Sequence, residues 1–161
     1  MSSTTQPSWH SDAARGRRPH HHRICTRLTN PNATPVSSYH EPWVVADGVW
    51  RRDGGEVLAR TRLFTPHVYA GIAVEIGIWP GAVQELIERR WGVRPTRIAQ
   101  QIAAQVLDDA AARTVHAKPG TVALRTLRRY LDERGRVIVA SDSLHPADRF
   151  AYEMTYHRDG G

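Results

Sequence analysis

The chain has one cysteine, Cys25, among its 161 residues, so no internal disulfide can form. That usage fits a reducing compartment, and a cytoplasmic location is expected. No apolar stretch approaches the roughly 18 residues of a membrane span. The first thirty residues hold no apolar core of a secretory leader. No membrane partner is expected. Catalytic signatures are equally scarce. There is no Gly-rich phosphate loop, no G-x-S-x-G elbow, no H-E-x-x-H and no cysteine pair. Carboxylates such as Asp53, Asp132, Glu133 and Asp142 read mostly as turn residues, which explains Asp53 and Asp132 without catalysis. At roughly 100–200 residues per domain the length allows one domain plus tails. That excludes a two-domain regulator and any large enzyme.

The composition is otherwise that of a small globular protein, with 40% hydrophobic and 24% charged residues. The net charge is +6, and arginine supplies almost all the cations. Such a balance favours a polyanion as a loose partner but specifies none. Residues 1–42 are rich in Ser, Thr, Pro, Asn, Arg and His without apolar periodicity, and read as a disordered basic and polar tail. Its densest cluster runs from Arg15 to Arg23 and includes His20, His21 and His22. Three adjacent histidines are a poor preformed metal site, because structural sites draw ligands from separate fixed positions. Neither a metal nor a cofactor is expected.

From Trp43 onward the pattern changes, and residues 43–158 read as one domain. Two apolar segments flank Asp53-Gly54, a pair that supplies the positive φ of a tight hairpin turn. In the second segment Val57, Ala59, Thr61 and Leu63 share one strand face, and Leu58, Arg60, Arg62 and Phe64 the other. Residues 65–79 are ambiguous. Val83, Leu86, Ile87 and Trp91 recur at helical spacing between Pro80 and Gly92, which mark the start and stop of a helix. Residues 97–107 alternate in part, with Ile98, Ile102, Ala104 and Val106 on one face. A strand is read there, although alanine and glutamine also favour a helix. Asp108 or Asp109 is expected to cap a short helix over residues 110–116. Strands are expected at 121–130 and 136–144 around a turn at 132–135, and a last strand at 149–157 carries Phe150, Tyr152, Met154 and Tyr156 on one face. The sum is an α+β domain, an antiparallel sheet with about two packed helices.

Two features could hold a ligand. One is the set of strand arginines, Arg60, Arg62, Arg125, Arg128 and Arg129, since a guanidinium facing a cavity can take a carboxylate or phosphate bidentately. The other is the segment 143–150, where a strand stops at Pro146 and His145 could point into a cleft. The ordinary alternatives, a solvated strand face and a structural turn, explain both as well.

The C-terminal third also carries a resemblance. Lys118-Pro119-Gly120-Thr121-Val122-Ala123-Leu124-Arg125 leads through Arg128-Arg129-Tyr130-Leu131-Asp132 to Gly135-Arg136-Val137-Ile138-Val139-Ala140-Ser141, and closes on Leu144-His145-Pro146-Ala147-Asp148-Arg149-Phe150-Ala151-Tyr152. This resembles the UTRA domain, the effector-binding domain of HutC-type GntR transcription regulators. The helix end Arg90-Trp91-Gly92-Val93 and the early hairpin around Asp53-Gly54 and Leu58-Ala59 are similar to the family's. The resemblance implies a chorismate-lyase-like fold with a pocket for a small-molecule effector, no catalysis, and a homodimer. It further implies that DNA is bound only through an N-terminal winged helix-turn-helix, for which residues 1–42 lack the helical periodicity. The chain reads as a solitary or truncated effector domain.

Members that bind sugar phosphates place a Glu where Arg60 stands, a Ser where Ala82 stands, a Glu where Val139 stands and a Tyr where His145 stands. These departures argue against a phosphosugar. They suit a small carboxylate, as in regulators of histidine or organic-acid catabolism. The expected ligand-binding set is Arg60, Arg62, Arg125, Ser141, His145 and Tyr152. The alternative is a small lyase of the same fold that removes pyruvate from chorismate, for which no convincing catalytic Arg and Glu pair can be placed. A basic nucleic-acid module would rest on net charge alone, with no recognition helix or aromatic stacking platform in view.

Overall fold

The computed structural model describes residues 27–29, 42–52, 55–79 and 81–153. Its centre is an antiparallel sheet of six strands: β1 (Arg27–Thr29), β2 (Trp43–Arg51), β3 (Val57–Pro66), β4 (Arg97–Val106), β5 (Val122–Leu131) and β6 (Val137–Pro146). They lie in the order β1-β2-β3-β6-β5-β4. A 3-10 helix (His67–Ile72) follows β3, α1 (Val83–Trp91) precedes β4, and α2 (Asp109–Thr114) links β4 to β5. The expected α+β class holds. β1 falls within the segment expected to be a tail; it pairs with Trp43–Val45, and the histidine cluster lies outside the described residues.

The hairpin forms as expected, with β2 and β3 paired along their length. Asp53 and Gly54 lie outside the described residues, but Gly55 carries a φ of 89°, the left-handed conformation glycine adopts without cost. In α1 the apolar stripe is real: Leu86 and Ile87 are buried, and Gly92 ends the helix with a φ of 68°. The strand reading wins at residues 97–106, where β4 pairs with β5 over ten residues in unbroken register. For α2, Asp108 is the cap, accepting the Ala111 N–H at 2.7 Å.

The last expected strand does not form among the described residues. Residues 147–149 turn and 150–153 adopt no regular structure; 154–157 lie outside the described residues. The physical reason is Arg149. Its guanidinium turns inward and donates to the carbonyls of Val57 and Val115 at 2.8 Å and of His116 at 3.0 Å. It thereby satisfies carbonyls that the end of α2 leaves open, and this pins the chain across the sheet rather than along it.

Strand register sorts the side chains onto two faces. Face one carries Ala46, Leu63, Val139 and Tyr130, which pack with Tyr69, Ile72, Ile76, Leu86 and Ile87 under α1 and the 3-10 helix. Face two carries Trp43, Val45, Phe64 and Ala140 at one end. At its other end α2 packs Ala112 and Val115 against Val57, Leu107 and Ala123. No described helix is long and apolar enough to cross a membrane.

Candidate functional site

The six residues expected to bind a ligand do not form one site. Arg60 opposes Leu144, Arg62 opposes Asp142, and Leu144 opposes Arg125. Because directly opposed residues point the same way, these three arginines share face two. Ser141 and His145 alternate with Asp142 and Leu144 along β6 and therefore lie on face one. Tyr152 joins them there, since its hydroxyl accepts from the Gln100 amide, and Gln100 reaches Ser141 through Arg128 in register.

On face two these three arginines are held by carboxylates, whereas Arg129, on the same face opposite Ala140, keeps a buried Nε without a hydrogen-bond partner among the described residues. Arg60 Nε donates to Asp47 Oδ1 at 2.9 Å, and its second nitrogen reaches Asp47 Oδ2. Arg62 shares that oxygen at 3.2 Å. Arg125 grips both oxygens of Asp142, at 2.8 and 2.6 Å, and this pairing raises the Arg125 pKa above its ordinary value despite partial desolvation. A cleft of about 210 Å3 opens here, lined by Arg60, Arg62, Gln105, Arg125, Asp142 and Leu144. It is smaller and more polar than the apolar cavities of roughly 300–1,000 Å3 that usually enclose ligands. Three guanidiniums against two carboxylates leave one net positive charge, but each of the three is already in an ion pair.

Face one is built of hydroxyls. Gly48, Thr61, Ser143, Thr126 and Ile102 form one row across five strands. Trp50 Nε1 donates to Thr61 Oγ1 at 3.0 Å, Thr61 Oγ1 and Ser143 Oγ are 2.8 Å apart, and Thr126 Oγ1 lies 3.4 Å from His145 Nε2. In the adjacent row Ser141 opposes Arg128, which opposes Gln100. Arg128 Nε donates to the Gln100 side-chain oxygen at 2.6 Å, and a terminal nitrogen lies 3.5 Å from the Tyr130 hydroxyl. Among the described residues Arg128 has no carboxylate partner. The ring of Phe150 stacks on His145 at 4.1 Å. The floor thus lies between α1 at one end and residues 150–152 at the other. Such a surface can accept and donate hydrogen bonds to a small polar molecule and supply one positive charge to an anion.

Sequence reasoning missed Asp47 altogether and, although it placed Asp142 within the strand expected at 136–144, gave it no arginine partner. It also passed over Thr61, Ser143 and Gln100. Alternation within each strand was available; the register between strands, which decides whether two arginines and a serine face each other, was not. Asp132 is a turn residue as expected. Its Oδ1 accepts the Arg134 and Arg136 N–H groups at 2.9 and 2.8 Å, and its Oδ2 the Arg136 side chain at 2.8 Å. Burial pushes its pKa up, but these bonds and the Arg136 charge outweigh it and hold the carboxyl below its ordinary value. No group of three or more His, Cys, Asp or Glu side chains among the described residues could hold a metal ion.

Solved structures that share the architecture include the following three. The ligand-binding domain of a putative GntR-family regulator from Bordetella bronchiseptica has a TM-score of 0.63 at 18% identity, covering 73% of this chain and 74% of that one. The effector domain of PhnF from Mycobacterium smegmatis has a TM-score of 0.63 at 20% identity, covering 75% and 74%. The C-terminal domain of the histidine utilization repressor from Pseudomonas syringae pv. tomato has a TM-score of 0.64 at 12% identity, covering 76% and 84%. At these identities the likeness is one of fold. No curated protein matches the sequence. The UTRA domain family model, however, matches residues 40–151, from just before β2 to just beyond the Arg149 anchor. The chain belongs to the UTRA domain family.

Proposed function

We propose that this chain is the effector-binding domain of a GntR/HutC-type transcription regulator, and that it binds a small carboxylate on the hydroxyl floor of face one. The observation that carries this reading is Arg128, a half-buried guanidinium on the sheet with only neutral hydrogen-bond partners. An anionic ligand would complete it, with the Ser141, Ser143 and Thr126 hydroxyls and His145 supplying orientation. Tyr152 would close the floor from the C-terminal side. Arg60, Arg62 and Arg125, tied to Asp47 and Asp142, hold the sheet together in this reading.

The domain captures its ligand without transforming it. The strand positions of face one bear no Asp or Glu, so the Arg and Glu pair a chorismate-type lyase would need is not offered there, and the lyase alternative is not favoured. Membership of the UTRA family supports the regulatory role. DNA is then contacted by a separate winged-helix domain, the protein works as a homodimer, and it acts in the cytoplasm.

A thermal-shift screen of small carboxylates against amino-sugar phosphates tests this. The expected result is stabilisation by a carboxylate, lost in Arg128→Ala. Stabilisation by amino-sugar phosphates alone would refute the carboxylate reading. Release of 4-hydroxybenzoate from chorismate would refute the non-catalytic one.

A further inference from the structure

The hydroxyls of face one form a hydrogen-bond chain with a direction. Trp50 Nε1 donates to Thr61 Oγ1 at 3.0 Å, and an indole N–H can only donate. Thr61 Oγ1 therefore accepts there, and its own proton is left for Ser143 Oγ, 2.8 Å away. Ser143 then holds a proton to pass onward. Such a chain is polarised along its length, each bond strengthening the next. Arg128 brings more donors in the adjacent row. Its Nε is taken up by Gln100, while a terminal nitrogen lies 3.5 Å from the Tyr130 hydroxyl. Ser141 opposes Arg128 and Ser143 opposes Thr126, so Arg128 and Ser143 are diagonal neighbours, a spacing of about 7–8 Å. Groups that would neutralise a cation are turned elsewhere. On the elements around face one, Glu75 pairs with Arg90, Glu88 with Arg94, Asp132 with Arg136 and Asp148 with Arg149, and Glu85 and Glu153 are exposed. An ammonium on this floor would meet donors and a guanidinium, with no counter-charge among the described residues.

We propose that the effector is a monocarboxylic acid with an oxygen, hydroxy or oxo, on the carbon beside its carboxylate, and that the matching amino acid is rejected. This rests on the carboxylate reading above and names the class within it. The carboxylate takes the terminal nitrogens of Arg128. The neighbouring oxygen accepts the proton that the Trp50–Thr61–Ser143 chain delivers. An oxo oxygen only accepts and a hydroxyl can accept, whereas an ammonium only donates. The end of the chain at Ser143 therefore matches the first two and opposes the third. The single guanidinium of the floor neutralises one carboxylate, so a dicarboxylate would carry a second charge with no partner there.

Acids that share a carbon skeleton and differ in one substituent test this on the whole chain. A small set is lactate, pyruvate, alanine and propionate. A large set is phenyllactate, phenylpyruvate, phenylalanine and hydrocinnamate. Thermal shift at millimolar concentration finds the set that fits, and calorimetry ranks its members. The hydroxy or oxo acid of one set should bind, and its amino acid should bind about 10- to 100-fold more weakly, the cost of opposing a donor with a donor. Ser143→Ala should bring the oxygenated acid level with its unsubstituted parent, whose retained binding reports an intact floor. Arg128→Ala should abolish binding of every member. An amino acid or an unsubstituted parent that binds through Arg128 as tightly as the oxygenated acid overturns the inference and leaves the carboxylate reading standing. Silence of both sets, while another carboxylate of the wider screen stabilises the wild type and not Arg128→Ala, does the same. Stabilisation by amino-sugar phosphates alone, or by no carboxylate at all, overturns both.

Discussion

The two faces of the sheet solve the same problem in opposite ways. Face two neutralises its polar middle by ion pairing: Asp47 takes Arg60 and Arg62, and Asp142 takes Arg125. Face one has no carboxylate on its strands and satisfies its polar groups with one another through Thr61, Ser143, Thr126, Arg128 and Gln100. A closed ion pair has little left to offer a ligand. A guanidinium among hydroxyls still gains from meeting an anion. The arginines that look most like ligand-binding residues in the sequence are therefore the ones the fold has already occupied.

Substitutions can pull the two faces apart. The largest effect is expected at the roof of face one. Ile87 is fully buried beneath α1, so Ile87→Ala should cost about 2–5 kcal/mol in chemical denaturation and weaken ligand binding with it. Next come two arginines with reciprocal effects. Arg128→Ala should leave stability nearly unchanged but remove a charge-assisted contact worth about 1.5–3 kcal/mol, on the order of a 10- to 100-fold loss of affinity by calorimetry. Arg125→Ala should do the reverse. It strands the largely buried Asp142 carboxylate, at 18% side-chain exposure, and should cost roughly 1–2 kcal/mol, below the full penalty of a buried pair because Arg125 itself is partly solvated. Affinity should be unchanged.

A smaller effect is expected at the β5–β6 turn. The Asp132 carboxyl titrates below its ordinary value in the fold. Its contribution is present above the unfolded aspartate pKa and is lost as pH falls through the lower folded value. Unfolding midpoints measured from pH 6 down to pH 3 should therefore fall more steeply for the wild type than for Asp132→Asn. Equal slopes would show that the three bonds to Asp132 contribute nothing. The smallest effect belongs to Arg62→Ala. Arg62 is exposed and shares an oxygen that Arg60 already holds, so its loss should lie within about 0.5 kcal/mol.

Much of this architecture was legible in the residues themselves. The hairpin, α1, the Asp108 cap and strands β4 to β6 follow from alternation, helical spacing and turn chemistry, which are local. What was not legible depended on pairing. Ser141 and Asp142 are neighbours in sequence yet face opposite sides, and only the register with β3 and β5 shows which arginine each one meets. Arg149 defeated the last expected strand for the same reason. Its targets on Val57, Val115 and His116 are distant in sequence, and no local pattern announces them. The stripe on β4 read only as one face of a strand, because periodicity reports which residues share a face and says nothing of whether anything covers it.

The central claim is that the ligand lies against the hydroxyl floor and Arg128 rather than over the ion-paired arginines. A crystal structure with a carboxylate selected by thermal shift tests it most directly. The account predicts the carboxylate within hydrogen-bond distance of Arg128, among Ser141, Ser143 and Thr126. Density over Arg60, Arg62 and Arg125, with the hydroxyl floor empty, would contradict it.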